Sequence, residues 1–598
     1  MFSTKRLRGG RWVWAAVMLV ADAAGAGGQV LNPWVTSDAV VSAGEPAPNM
    51  FSLAALHDSP AFRGLTPRQF CLKLFDIYYD GRRKNWRSFK QGMELWAHSG
   101  QGPMASPKVQ ELDPIVLMNV HGSGFCGVAS GLLEGVYQSR PGGTPGKPAI
   151  DARRWFLAKY IHSVTDAFYD GKWHYLDIDL GDYAGDKEKH IWSMADVLAD
   201  PDGYFGAKTT FKSTYFFKVD GKGSWVKKVS RARSYTFQDN QMLGHEMTFC
   251  LRKGETFTRY FSAAAAGWSA FAPHTRKVQK GQKGFCELVY APSAADAKAE
   301  ALSREGDAMV LAVRCPYNIS SSKVEATGER SVSFDLGRTW QAVGADGLVA
   351  GAANRWDYLL KVKGGKLKKI TTRGMLHPAA LPRVGKGATK MAVTKAASYQ
   401  TLTWLPDFKA ATVEPGLKFR KRSALSFTGG SLVGRGTAMI PVVAPAGTRI
   451  VKIAACVIGG TGNPPSADKY LTLRIGPAGK AKLVGRTTDC TAWGLDGIDK
   501  IDHAQNNVNG EATFEPTEKA EVLIGLHGWG YASGVRIYVG YVPAEKPAAA
   551  AGTLTITHGF DGKTFKKAIP AGKIGDDPVT YTVPGGAKVN EFIRMEVK

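Results

Sequence analysis

Apolar residues between positions 60 and 200 recur at helical and hairpin spacings. Pro67–Tyr79 carries them at 70, 72, 74, 75 and 78, which predicts an amphipathic helix. Gly124–Tyr137 predicts a second helix, entered through a glycine-containing turn. Ala167–Leu176 flanks the turn dipeptide Asp170-Gly171 and predicts a β-hairpin. Helix followed by hairpin makes residues 61–204 an α+β unit. Beyond about 205 the pattern changes to strand-length runs between glycine-rich turns, at 210–219, 247–252, 257–262, 332–334, 358–362 and 471–475. Such runs predict β-sandwich domains. One break falls near 385–400, around Gly385-Lys386-Gly387, and a Pro/Ala linker spans 543–552. The expected units are 205–390, 391–543, and a 544–598 tail. That tail is short for a domain and suited to lending strands to an earlier sandwich. The expected fold class is multidomain: α+β, then β-sandwich domains.

The first residues read differently. Lys5, Arg6, Arg8 and Arg11 precede the apolar run Trp12–Ala21, and the small residues Ala24-Gly25-Ala26 follow. A run of about ten residues is too short to span a bilayer core of roughly 30 Å. The pattern is that of a secretory signal peptide over 1–26, with a lead-in segment over 27–60. The expected location is secreted, periplasmic or cell-surface, with no transmembrane span.

The chain has 598 residues, with 77 Lys+Arg against 52 Asp+Glu, a formal charge of +25. This excess favours polyanionic partners, and export argues against nucleic acid. The charge is uneven. Residues 61–200 are nearly neutral, with 17 basic against 16 acidic side chains. Residues 212–283 hold 14 against 4, and 361–395 hold 10 against none. The basic β-rich region is therefore the expected place for an acidic polysaccharide.

Cys126 opens a predicted helix, His162 begins a strand, and Asp177 ends the next one. A helix N-terminus stabilises a thiolate. A histidine within reach can hold that ion pair and later deliver a proton. An aspartate across the hairpin can fix the imidazole tautomer. His174 falls on the opposite strand face and suits a packing or surface role. Asn119 and His121 precede the glycine turn and suit turn-forming or exposed positions, with a place beside the cleft as the alternative.

At Gly124, Cys126, Ala129, Leu132, His162, Asp170, Gly171, Trp173 and Asp177 the chain resembles the transglutaminase-like superfamily, with its D-G-x-W-x-x-x-D hairpin. The resemblance covers about a quarter of the chain. It implies Cys126 as nucleophile, His162 as general base and acid, and Asp177 as orienter. Backbone N–H groups near Cys126 would form the oxyanion hole. The implied chemistry is acyl transfer or hydrolysis at peptide or amide bonds of extracellular or cell-envelope polymers, with water or an amine as acceptor. The alternative is a non-catalytic surface or glycan-binding protein using the fold as scaffold.

Other motifs are structural. Ser333-Phe-Asp-Leu-Gly-Arg-Thr-Trp340 resembles an Asp-box hairpin. The acidic loop 177–188 lacks the glycine and ligand order of an EF-hand. No CxxC, HExxH or phosphate-binding loop is present, so neither metal nor cofactor is expected. Besides Cys126, six cysteines remain. Candidate pairs are Cys456 with Cys490 and Cys250 with Cys286, among fifteen possible connectivities.

Overall fold

A computed structural model describes mainly residues 52–83, 109–121, 126–157, 162–178, 190–199, 242–247, 249–260, 284–353, 355–376, 399–420, 430–461, 466–488 and 501–544, with short strands elsewhere. The expected signal peptide, the strand at 210–219, residues 385–388 of the break expected over 385–400 and residues 545–552 of the linker expected over 543–552 lie outside the described residues, while Thr389–Lys395, within the expected break, forms a strand. So does most of the basic stretch 212–283.

Helix α1 spans Pro67–Arg83. Proline suits its first position, where no backbone donor is needed. Thr66 and Gln69 bond reciprocally, Gln69 N to Thr66 Oγ1 at 3.3 Å and Thr66 N to Gln69 Oε1 at 3.0 Å, forming a capping box. Phe70, Leu74, Phe75 and Tyr78 are buried. Helix α2, Cys126–Gln138, is buried on all sides from Gly127 to Tyr137, with the polar Ser130 and Glu134 included.

Strands β1 (Asp151–Leu157), β2 (His162–Tyr169) and β3 (Lys172–Leu176) follow as antiparallel neighbours. The two-residue turn between β2 and β3 has Asp170 at φ 50° and Gly171 at φ 74°, the left-handed pair that a tight hairpin requires. Their sheet extends through β4 (Tyr235–Asp239) to a fifth strand, Ile501–Asn506, which pairs with β4 in parallel. Two of the five strands thus come from beyond residue 204.

The middle of the chain forms β5 (Glu255–Tyr260), β6 (Gly284–Tyr290), β7 (Ala308–Arg314), β8 (Asn318–Ala326), β9 (Glu329–Ser333), β10 (Asp357–Lys363) and β11 (Leu367–Leu376). Strands β8, β11, β6 and β5 lie side by side in a seven-stranded sheet, and β7, β10 and β9 in a five-stranded sheet. One hydrophobic cluster joins these two sheets to α1 and α2.

A nine-stranded sheet holds β12 (Ser431–Val443), β13 (Thr448–Gly460), β14 (Tyr470–Pro477), β15 (Lys482–Arg486), β16 (Val508–Thr517) and the 25-residue β17 (Lys519–Pro543). A second apolar cluster fills it. The tail strands Thr553–Gly559 and Phe592–Val597 return to the seven-stranded sheet, the latter beside β5. The molecule is β-rich and built of several sheets. Among the described residues no helix is long and apolar enough to cross a membrane.

Candidate active site

Cys126 is the first residue of α2 and is partly exposed. The short strand before it, Ser123–Gly124, runs parallel to Ala97–His98. His162 begins β2, and its Nε2 lies 2.7 Å from Asp177 Oδ2. Both side chains are sealed from solvent. His162 also hydrogen-bonds the Cys126 side chain. Asp177 takes Nε2, so Nδ1 is the other ring nitrogen. Thiol, imidazole and carboxylate are thereby linked in one row. Burial alone would lower the His162 pKa, but the Asp177 charge and hydrogen bond, with Cys126, reverse this and hold it well above the usual value.

The hairpin register explains the pairing of His162 with Asp177. Leu176 stands opposite Thr165, so Asp177 falls opposite Val164 on the strand face that carries His162. Tyr175 shares that face, and its hydroxyl donates to Asp177 Oδ2 at 3.3 Å. The aspartate oxygen is therefore held by two donors. Spacing from Asp177 by two residues along a strand is the signal that marks Tyr175 in the sequence.

Helix and strand are fixed by reciprocal bonds. Ser130 Oγ donates to Ser163 O at 2.8 Å, and Thr165 Oγ1 donates to Ser130 O at 3.0 Å. Arg154 on β1 donates to Gly127 O at 2.8 Å, one residue from Cys126. Gly131 permits this approach, because an added Cβ would lie 3.3 Å from Arg154 Nη1. A buried guanidinium beside the first helical turn favours negative charge there.

Trp173 packs under this apparatus. The Arg153 guanidinium lies 4.0 Å from the Trp173 ring centre and 4.9 Å from that of Trp155. Arg153 pairs with Asp166 at 2.9 Å, and Asp166 also accepts from Trp155 Nε1 and Met194 N. The tryptophan of the hairpin motif thus serves a buried cation.

His174 is buried, bonded to Ile191 O and Tyr169 O and stacked on Tyr169, so it packs and is no surface residue. Asn119 is buried and donates to Met50 O and Ile115 O. His121 is also buried. Neither residue is exposed, as turn positions would be. Asp335 accepts from Thr339 N at 2.9 Å and from Ser333 Oγ at 2.7 Å, closing the hairpin of the Asp-box motif. Among the described residues no three His, Cys, Asp or Glu side chains group as a metal site requires.

The cysteine pairing needs correction. Cys286 Sγ lies 3.7 Å from Cys315 Sγ, a partner the sequence spacing did not suggest. The side chain of Cys250 and all of Cys490 lie outside the described residues, and Cys456 is buried among Leu112, Met242 and Ile458.

No protein-family model and no curated protein matches the chain. Solved structures overlap it weakly. An uncharacterized Listeria monocytogenes protein aligns over 52% of this chain and 22% of its own, at 10% identity and a TM-score of 0.17. Dimeric latent PorU from Porphyromonas gingivalis aligns over 58% and 33%, at 9% identity and 0.17. A tandem CBM22 domain from Paenibacillus barcinonensis Xyn10C aligns over 47% and 96%, at 10% identity and 0.17. The chain thus spans about a fifth and a third of the first two proteins. At these TM-scores no assignment follows.

Proposed function

We propose that the chain is an exported, transglutaminase-like cysteine enzyme that transfers or hydrolyses acyl groups at peptide or amide bonds. One observation carries this reading: Cys126, His162 and Asp177 are linked by consecutive hydrogen bonds at a helix start. In the first half-reaction Cys126 Sγ attacks the carbonyl carbon. The tetrahedral oxyanion is received by backbone N–H groups at the start of α2. The C–N bond then breaks, and the imidazolium proton passes to the leaving amine. The acyl group remains on sulfur as a thioester. In the second half, His162 takes a proton from water or an amine as that nucleophile attacks, and the C–S bond breaks. Asp177 holds the imidazole at Nε2 and stabilises its protonated form. Arg154 favours charge near the thiolate. The substrate class, exposed polymer of the envelope or extracellular space, rests on the export pattern; the near-neutral charge of residues 61–200 selects no substrate.

The test is the reactivity of Cys126 in the mature chain. Iodoacetamide adducts mapped by mass spectrometry should appear first at Cys126 and form even below neutral pH. In His162→Ala, modification should slow and move to alkaline pH. A Cys126 that stays unmodified, or reacts identically in the variant, overturns the proposal.

A further inference from the structure

The outer face of the nine-stranded sheet carries a row of side chains unrelated to Cys126. Four strands lie side by side there: β15, β14, β17 and β12. Tyr470 on β14 stands opposite His527 on β17, and their rings stack at 4.2 Å. The Arg486 guanidinium lies 3.9 Å from the Tyr470 ring centre. Arg435 sits in the bulge of β12 between Gly434 and Gly436, beside the kink of β17 at Gly528. Arg474 projects from β14 and is exposed, as is Arg435. Among the described residues, no carboxylate lies within ion-pair distance of any of these three arginines. Burial, then Arg486, Arg435 and Arg474, push the His527 pKa down, so the row is a local concentration of positive charge. Trp529, two residues beyond His527, is 51% exposed.

This geometry selects among anionic partners. A planar guanidinium receives a carboxylate through two parallel hydrogen bonds. The floor between the arginines is low, because Gly525 and Thr472 face each other across β17 and β14. A Cβ on Gly525 would meet Thr472 Oγ1 at 2.3 Å. A peptide could not add here as a strand, since β14 and β17 are paired on both sides. A flat, hydroxyl-bearing floor, an exposed indole and the three arginines suit sugar rings that bear carboxylates. We propose that this face, with Arg435, Arg474 and Arg486 around the Tyr470–His527 stack and Trp529 beside it, binds a carboxylated polysaccharide. The proposal is independent of the chemistry at Cys126. It places the glycan on the nine-stranded sheet, whose strands fall outside the basic stretches 212–283 and 361–395 of the sequence.

The test measures binding of the full mature chain to polygalacturonate, with dextran as neutral glycan and poly-glutamate as acidic peptide. Calorimetry should detect polygalacturonate binding that weakens as salt rises, with none to dextran. Arg435→Gln with Arg474→Gln changes only exposed side chains and should weaken binding about tenfold or more. Trp529→Ala should weaken it severalfold, with the melting curve unchanged in both variants. If either variant misfolds, Arg474→Gln alone carries the test and should still weaken binding. Equal affinity for poly-glutamate, wild-type affinity in the arginine variants, or no polygalacturonate binding overturns the proposal.

Discussion

Glu111 and Arg536 stand 425 residues apart in the chain and pair through contacts of 3.2 and 3.3 Å, with both side chains sealed from solvent. Glu111 also accepts from Leu112 N and Asp113 N, and Arg536 donates to Tyr538 Oη. Burial opposes the Arg536 charge, but Glu111 restores it and raises its pKa above the ordinary arginine value. Asp113, two residues on, accepts His245 N and caps the turn at Ile115 and Val116. The pair therefore ties β17 to the segment that leads into Cys126. Arg536→Met leaves a buried carboxylate without its cation and should cost about 3–5 kcal/mol in denaturant unfolding. Glu111→Gln with Arg536→Met should recover much of that loss. A single variant within about 0.5 kcal/mol of wild type would show that the pair holds nothing together.

Local structure was the legible part of this chain. Pro67–Tyr79 has a helical period and a capping box. Asp170-Gly171 can hardly be other than a tight turn, and the tail was too short to fold alone. Each of these signals lies within a few neighbouring residues. The row of Cys126, His162 and Asp177 was legible for the same reason, because one helix and one hairpin position all three. The Glu111–Arg536 pair was not, since no local period relates such distant residues. The closeness of Cys286 and Cys315 is not local either, because it arises only when two sheets pack. The grouping of arginines on β12, β14 and β15 depends on strand order, which composition does not contain. Overall charge is concentrated at 212–283 and 361–395 instead.

The pH dependence at His162 has a definite sign. Its folded-state pKa is raised, so its contribution to stability is complete below its unfolded value of about 6.5. That contribution is lost as pH rises through the folded value. Asp177→Asn removes the charge that holds the proton and leaves burial unopposed. The His162 pKa should then fall by about one to three units. Histidine ring NMR signals across pH report the shift directly. An unchanged titration would mean that Asp177 does not set the charge of His162.

Asp335 closes the β9 hairpin with bonds to Thr339 and Ser333, while Leu336 is held at φ 62°. Removing the carboxylate frees a turn whose backbone is already unfavourable for leucine. Asp335→Ala should destabilise the protein by about 1–3 kcal/mol, measured by urea unfolding, and leave Cys126 alkylation unchanged. A change at Cys126 would contradict a purely structural role for this motif.

Cys286 on β6 and Cys315, just after β7, bring their sulfurs to 3.7 Å from opposite sheets of the middle unit. Gly374 on β11 lies against both, and a Cβ there would come within 2.6 Å of either sulfur. Both thiols are buried, and burial pushes the Cys286 thiol well up, so Cys286 reacts slowly in the folded state. During folding in a glutathione buffer, one thiolate can displace glutathione from its disulfide. The second then displaces the remaining glutathione, releasing two glutathione thiols per cystine formed. Non-reducing peptide mapping should find Cys286 joined to Cys315. The bond closes a loop of about thirty residues and should add roughly 3 kcal/mol, seen as a lower Tm after reduction. Gly374→Ala should lower the Tm in either redox state, because the methyl group has no room beside the sulfurs. Recovery of both cysteines as free thiols after refolding in that buffer, or pairing of either with a different cysteine, would refute the linkage.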